Sequence, residues 1–314
     1  MKIAVVGAGQ VGAACAYACV MRGVGVEITL VDRSADLAVG QAEDIQHAAP
    51  FARGTIVRAG PVEAIAGAGV VMIAAGVPQR DPGESRLDLL KRNAEVFAAL
   101  VPQIVAAAPG AVLLVASNPV DVMTDLAARI AAREGVGPER VIGSGTILDT
   151  ARFRTLLAAH LGVSSRSVHA NVLGEHGDSE VLAWSGAAVG GLPLADAAAQ
   201  LGRPIGPEER SAIDAGVRRA AHRIIARKGA TWFGIGAGMA RLAEAVIHDE
   251  GAALTCCIRG GPVAGAAGAA CSLPRIVGAG GVRATLTPAL DAAETAALRL
   301  SAEIVAAAAA EIAV

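Results

Sequence analysis

A chain of 314 residues, 54% hydrophobic and 18% charged, can bury a large core in one or two domains, and this composition excludes a disordered polypeptide. A formal net charge of -2 argues against nucleic-acid and membrane-surface proteins, which carry basic clusters. No apolar run reaches the ~18 residues of a membrane span, and Met1-Lys2-Ile3-Ala4-Val5-Val6 enters a Gly-rich turn without a secretory cleavage pattern.

In chain order, the first half alternates short apolar runs with helical patterns. Strands are predicted at residues 3–6, 27–31, 70–74, 111–116 and near Val141, and helices between them at 11–21, 87–107 and 120–133. This alternation predicts a parallel sheet with helices on both faces, and strands without polar alternation predict burial on both sides. After Gly143 helices lengthen, at 146–160, 207–227, 237–248 and 291–310, with strand-like runs at 168–173 and 254–258. The expected fold class is α/β, a doubly wound parallel sheet of Rossmann type over 1–142 followed by a mixed α+β substrate domain over 143–314. No Ser/Pro-rich linker separates the halves, which predicts a tight interface. The five cysteines, Cys15, Cys19, Cys256, Cys257 and Cys271, form no Cys-x-x-Cys pair and read as reduced core residues of a cytoplasmic protein.

Gly7-Ala8-Gly9-Gln10-Val11-Gly12 follows the first strand and opens a helix. In such a turn Gly7 allows the tight bend, Gly9 lets backbone approach a pyrophosphate, and Gly12 lets helix pack on strand. The N–H groups at Gln10 and Val11 then face the phosphates. Asp32, twenty residues past Gly12, stands where a carboxylate accepts bonds from ribose hydroxyls. It would repel a ribose phosphate, which favours NAD over NADP, with Arg33 beside it pulling the other way.

A dense set of polar residues lies between Gly143 and Glu180 in an otherwise apolar chain. Leu148-Asp149-Thr150-Ala151-Arg152-Phe153-Arg154 and Gly174-Glu175-His176-Gly177-Asp178-Ser179-Glu180 stand out, with Ser117-Asn118-Pro119-Val120-Asp121 and the segment from Pro82 to Leu89 before them. Together these four motifs closely resemble the lactate/malate dehydrogenase family over nearly the whole chain. His176 suits the acid/base, because imidazole titrates near neutral pH. Asp149 matches the family carboxylate that orients that imidazole. Arg152 can grip a substrate carboxylate with its planar fork, and Arg86 would polarise the carbonyl. By resemblance, Asn118 lies near the nicotinamide and the reacting oxygen, while Thr231 and Ile235 line the substrate and nicotinamide pockets. The other histidines, His47, His160, His222 and His248, carry no metal-ligand spacing, and no metal is expected.

The resemblance implies hydride transfer between NAD and a small L-2-hydroxy acid, with pyruvate and L-lactate as the favoured pair. Malate, bulkier 2-hydroxy acids and a non-catalytic nucleotide-binding protein are the alternatives. In the family, glutamine six residues before the catalytic arginine accompanies pyruvate, and arginine there accompanies oxaloacetate. One extra residue in this loop leaves two registers: counting from Gly76 puts Gln79 in that place, and counting back from Arg86 puts Arg80 there. Gln79 is favoured, since loops absorb insertions. Arg154 and His169 match residues that bind fructose bisphosphate across a subunit interface in bacterial relatives, which implies a homotetramer with that possible effector.

Overall fold

The computed structural model describes residues 1–77 and 86–312. β1 (Lys2–Val6), α1 (Gln10–Arg22), β2 (Glu27–Val31), α2 (Ala35–Ala48) and β3 (Ile56–Ala59) form one half of a wound sheet; β4 (Ala68–Ile73), α3 (Arg86–Ala107), β5 (Val112–Val115), α4 (Val120–Arg133) and β6 (Val141–Gly143) form the other. The strands run parallel in the order β3-β2-β1-β4-β5-β6. The winding reverses between β1 and β4, so a crevice opens at the carboxyl ends of these strands. Helices on both faces account for the absence of polar alternation. Ile3, Val5, Val70 and Leu114 pack into a core with Cys15 and Cys19 of α1, while Ala4, Val6, Val71 and Leu113 pack against Phe97 of α3 and Met123 of α4.

The second half comprises α5 (Ile147–Leu161), β7 (Val168–His169), β8 (Val172–Leu173), β9 (Val181–Leu182), β10 (Ala188–Val189), β11 (Leu192–Pro193), α6 (Leu194–Gln200), α7 (Pro207–Arg218), α8 (Ala220–Lys228), α9 (Phe233–Ile247), β12 (Ala252–Arg259), β13 (Ala270–Gly278), β14 (Gly281–Thr285) and α10 (Ala292–Ala310). An antiparallel meander, β12-β13-β14, continues the parallel sheet through the pairing of Cys257 with Gly143, giving nine strands.

Three expectations change. The run 168–173 is two strands in different small sheets, β7 against β10 and β8 against β9. Its middle is bound to α5 instead: Arg154 Nε donates to the Ala170 carbonyl (2.8 Å), and the Val172 N–H donates to the Thr150 hydroxyl (2.9 Å). The stretch 207–227 breaks at Arg219, which caps α7 through the carbonyls of Ala215 and Val217. The Arg223 guanidinium takes further carbonyls of that helix end, at Ala215 and Gly216. Helix α9 begins at Phe233 rather than Ala237, because its glycines serve close packing that outweighs their poor helix propensity.

All five cysteines are free and buried, and burial pushes the thiols of Cys15 and Cys256 up to about 12. Among the described residues no helix is long and apolar enough to cross a membrane.

A close helix contact, α9 on α1, joins the two halves. A Cβ at Gly236 of α9 would lie 2.7 Å from the Ala14 carbonyl oxygen of α1, which is backbone and cannot swing aside. Gly236→Val should therefore force the helices apart and lower stability by roughly 1–3 kcal/mol, the usual cost of overpacking. Thermal unfolding of the two proteins checks this, and an unchanged Tm would contradict it.

Candidate active site

The dinucleotide turn is held by backbone geometry. The Gly7 N–H donates to the Val31 carbonyl (2.8 Å), tying the end of β1 to β2. A Cβ on Gly12 would sit 1.8 Å from the Gly7 carbonyl oxygen, so α1 can approach β1 only with glycine there. At Gly9 nothing lies within 4 Å of the Cβ position, so bare backbone faces open space. No side chain caps α1, which leaves its amino end, Gln10 and Val11, available to an anion. Asp32 ends β2, accepting the N–H of Ala8 (2.7 Å) and of Ser34 (2.9 Å) through its two oxygens. It thus pins the glycine turn, a role its ribose assignment did not anticipate. Ile235 and Val11 pack against the same core from α9 and α1. Exposed backbone, a helix amino end and a strand-end carboxylate fit a pyrophosphate and a ribose.

The polar residues of the second half converge on one buried carboxylate. Asp149, 1% exposed in the first turn of α5, receives Arg152 Nη1 on Oδ1 (2.6 Å) and His176 Nδ1 on Oδ2 (2.5 Å). The three-residue spacing puts Asp149 and Arg152 on one face of α5. Burial disfavours the imidazolium, but the hydrogen bond and charge of Asp149 outweigh it and push His176 up to about 9. Nε2 of the same ring stays available to a reactant. Among the described residues Arg152 makes no other hydrogen bond, so the rest of its fork can receive a carboxylate.

The His176 loop is fastened on three sides. Gly174 exchanges two backbone bonds with Ser272 of β13 (3.0 and 2.9 Å), and the Glu175 N–H donates to Ser301 Oγ of α10 (2.8 Å). The His176 N–H donates to Asp121 Oδ2 (2.6 Å) from the first turn of α4. Asp121 is buried with no partner for Oδ1, and burial pushes its carboxyl up to about 6. Reading the sequence did not single out Asp121. The signal was an acid set between Val120 and Val122 at the start of a helix.

Asn118 precedes α4 at the carboxyl end of β5, exposed and joined to Pro119 by a cis peptide bond. Arg86 opens α3. Thr231 is half-buried between α8 and α9, and among the described residues no hydrogen bond links it to His176. Gln79 and Arg80 lie outside the described residues. Arg154 is anchored to Ala170 and to Asn171 Oδ1 (3.3 Å), beside the exposed His169 of β7, and burial lowers its pKa. It lines a cavity of about 520 Å³ with Arg166 and Arg241.

Among the described residues, two groups bring histidine and carboxylate atoms within 4.8 Å of one another, Asp149-His176-Glu180 and Glu244-His248-Glu250. In both, arginines already engage the carboxylates: Arg152 on Asp149, Arg241 on Glu244 (3.2 Å) and on Glu250 (2.5 Å).

Two family models of the lactate/malate dehydrogenases match nearly the whole chain. The NAD binding domain matches residues 1–143, and the alpha/beta C-terminal domain matches residues 146–313. The chain belongs to the lactate/malate dehydrogenase family. As a member it is an NAD-dependent oxidoreductase. Similar curated proteins include an L-lactate dehydrogenase of Thermus aquaticus, 58% identical over 304 residues, and one of Allorhizobium ampelinum, 56% identical over 304 residues; each comparison covers 97% of both chains. Among solved structures, a lactate dehydrogenase from a Medee basin deep-sea metagenome library superposes with a TM-score of 0.93 at 38% identity, covering 99% of this chain and 98% of that one. A minor L-lactate dehydrogenase from Enterococcus mundtii, in a ligand-bound form, also gives 0.93, at 35% identity and with 100% and 98% covered.

The electrostatic pairing in this family member is directly measurable. In Asp149→Asn the largest favourable partner is gone while burial, Asp121 and Glu180 remain, so the His176 midpoint should fall well below about 9. An NMR titration of the imidazole checks this, and a midpoint that stays near 9 would contradict it.

Proposed function

We propose that the chain is an L-lactate dehydrogenase, interconverting pyruvate and L-lactate with NAD. The observation that carries this is the buried Asp149 joined to both His176 and Arg152. It lies at the same strand ends as the glycine turn: Gly7 follows β1, Asp32 follows β2, Asn118 follows β5 and α5 follows β6. Residues 1–142 are proposed as the NAD-binding unit and 143–314 as the substrate unit.

NAD, held by the turn from Gly7 to Gly12 and by Asp32, supplies or accepts the hydride. Arg152 binds the substrate carboxylate, and the planar fork fixes its orientation. His176 donates a proton from Nε2 to the carbonyl oxygen as charge develops there, with Asp149 holding the ring and balancing the imidazolium. Arg86 and Asn118 are assigned to the reacting oxygen, Thr231 to the substrate methyl end and Ile235 to the nicotinamide face. Gln79 is assigned to discrimination against a second carboxylate. The relatives named L-lactate dehydrogenase favour that register over Arg80.

His176→Gln should lower turnover by roughly 10²–10⁴-fold, the usual worth of positioned acid–base catalysis, while NADH still binds. Steady-state kinetics with NADH fluorescence titration test both halves, and a variant that keeps a tenth of wild-type activity contradicts the role. Because the imidazolium is the proton donor, pyruvate reduction should fade as pH rises through about 9, and lactate oxidation should gain over the same range.

Comparing pyruvate with oxaloacetate decides the loop register. A second carboxylate left unpaired in a closed pocket costs roughly 3–5 kcal/mol. With Gln79 facing substrate, the wild type prefers pyruvate strongly and Gln79→Arg shifts kcat/KM toward oxaloacetate. Should the wild type favour oxaloacetate, with Arg80→Gln as the switching change, the chain is a malate dehydrogenase instead.

A homotetramer that binds fructose bisphosphate between subunits is the regulatory part of the proposal. Arg154 and His169 would supply positive charge twice over by symmetry. The bisphosphate should lower the apparent KM for pyruvate. Arg154→Gln should abolish the response. Sedimentation and kinetics without ligand dependence at mildly acidic pH would remove this part.

A further inference from the structure

One buried acid beside the catalytic pair has no part in the mechanism above. Glu180 follows the tight turn after His176, where its N–H donates to the Gly177 carbonyl (3.1 Å), and it immediately precedes β9. It is 4% exposed, and its Oε1 has no hydrogen-bond partner. One carboxylate oxygen lies within 4.8 Å of both an imidazole nitrogen of His176 and a carboxylate oxygen of Asp149. The charged groups facing it are Asp149 and Arg152 from α5, His176 from its own loop and Arg218 from α7. Neither arginine hydrogen-bonds Glu180 among the described residues: Arg152 donates to Asp149, and Arg218 forks onto Asp214 (2.6 and 3.1 Å). Two carboxylates this close in a buried site cannot both ionise cheaply. Asp149 has a donor on each oxygen and therefore takes the charge. Glu180, with an oxygen facing no donor, keeps the proton.

We propose that Glu180 is a positioning residue whose proton must be in place for a keto acid to bind. Its ionisation sets a second negative charge beside Asp149, draws on Arg152 and repels the incoming carboxylate. The inference rests on the pyruvate reading above. Burial and the charge of Asp149 push Glu180 up to about 8, while His176 titrates at about 9, so both protons leave as an interacting pair in the weakly alkaline range. A keto acid that needs the imidazolium and the neutral carboxyl together is released by the loss of either.

The test is the pH dependence of binding of oxamate, a pyruvate isostere, to the enzyme–NADH complex from pH 6.5 to 10, read by quenching of NADH fluorescence. In the wild type the slope of log Kd against pH should climb past one toward two. In Glu180→Gln, which keeps size and polarity but cannot ionise, it should level off at one. Arg218→Gln provides an independent arm. Arg218 favours the ionised carboxylate, so its loss should move the Glu180 break to higher pH. A Glu180→Gln slope as steep as the wild type's, or an Arg218→Gln profile superposed on the wild type's, overturns the proposal. A merely structural role would weaken binding equally at every pH and change neither slope. If the wild type neither binds oxamate nor reduces pyruvate, it is the lactate dehydrogenase reading that fails.

Discussion

The arrangement of this protein depends on one ionised carboxylate removed from water. Asp149 is nearly inaccessible, and an isolated carboxylate in that position would surrender its charge. Two cationic donors, one on each oxygen, make the charge tolerable, and each donor is thereby oriented. The Arg152 fork cannot rotate freely while Nη1 is bound, and the His176 ring cannot flip while Nδ1 is bound. A single buried charge thus fixes the Arg152 fork and the His176 ring relative to each other, the two-point hold that the proposed 2-keto acid substrate needs.

Three acids surround His176, and environment separates them. Asp149 has two donors and stays charged. Asp121 accepts the His176 N–H on one oxygen, has the Cys257 thiol beside it, and burial pushes it up to about 6. Glu180 faces Asp149 with an unpartnered oxygen and is pushed further, to about 8. The same functional group therefore carries a fixed charge, a backbone anchor and a held proton within a few ångströms. The ordering follows from the number of donors each carboxylate receives against the cost of its burial.

The two halves of the chain meet through more than a hinge. The antiparallel meander adds to the edge of the parallel sheet at β6, and α9 packs on α1 at Gly236. Ile235 is thereby delivered to the nucleotide helix from the far end of the sequence. Ser272 and Ser301, more than 90 residues downstream of His176, fasten its loop. A catalytic loop held by three separate elements loses little conformational freedom when substrate binds, because its ordering is already complete.

Much of this was legible in the sequence because it is written in local spacing. Strands buried on both faces read as continuous apolar runs, the glycine turn reads as a turn because of where its side chains are missing, and Asp149 with Arg152 reads as one helical face. The small-sheet strands and the α7–α8 break were not legible, since side chains distant in the chain decide them: Thr150 and Arg154 of α5 bind the middle of 168–173, and capping at Arg219 ends α7. The roles of Asp121 and Glu180 were equally hidden. An acid's charge state depends on burial and on which donors reach it, and a residue's own neighbours in sequence determine neither. The sequence by itself determined the main elements and the winding, because both follow from local spacing. Only the tertiary structure decided which carboxylate near His176 receives two donors, because Arg152 of α5 and His176 of its own loop meet at Asp149.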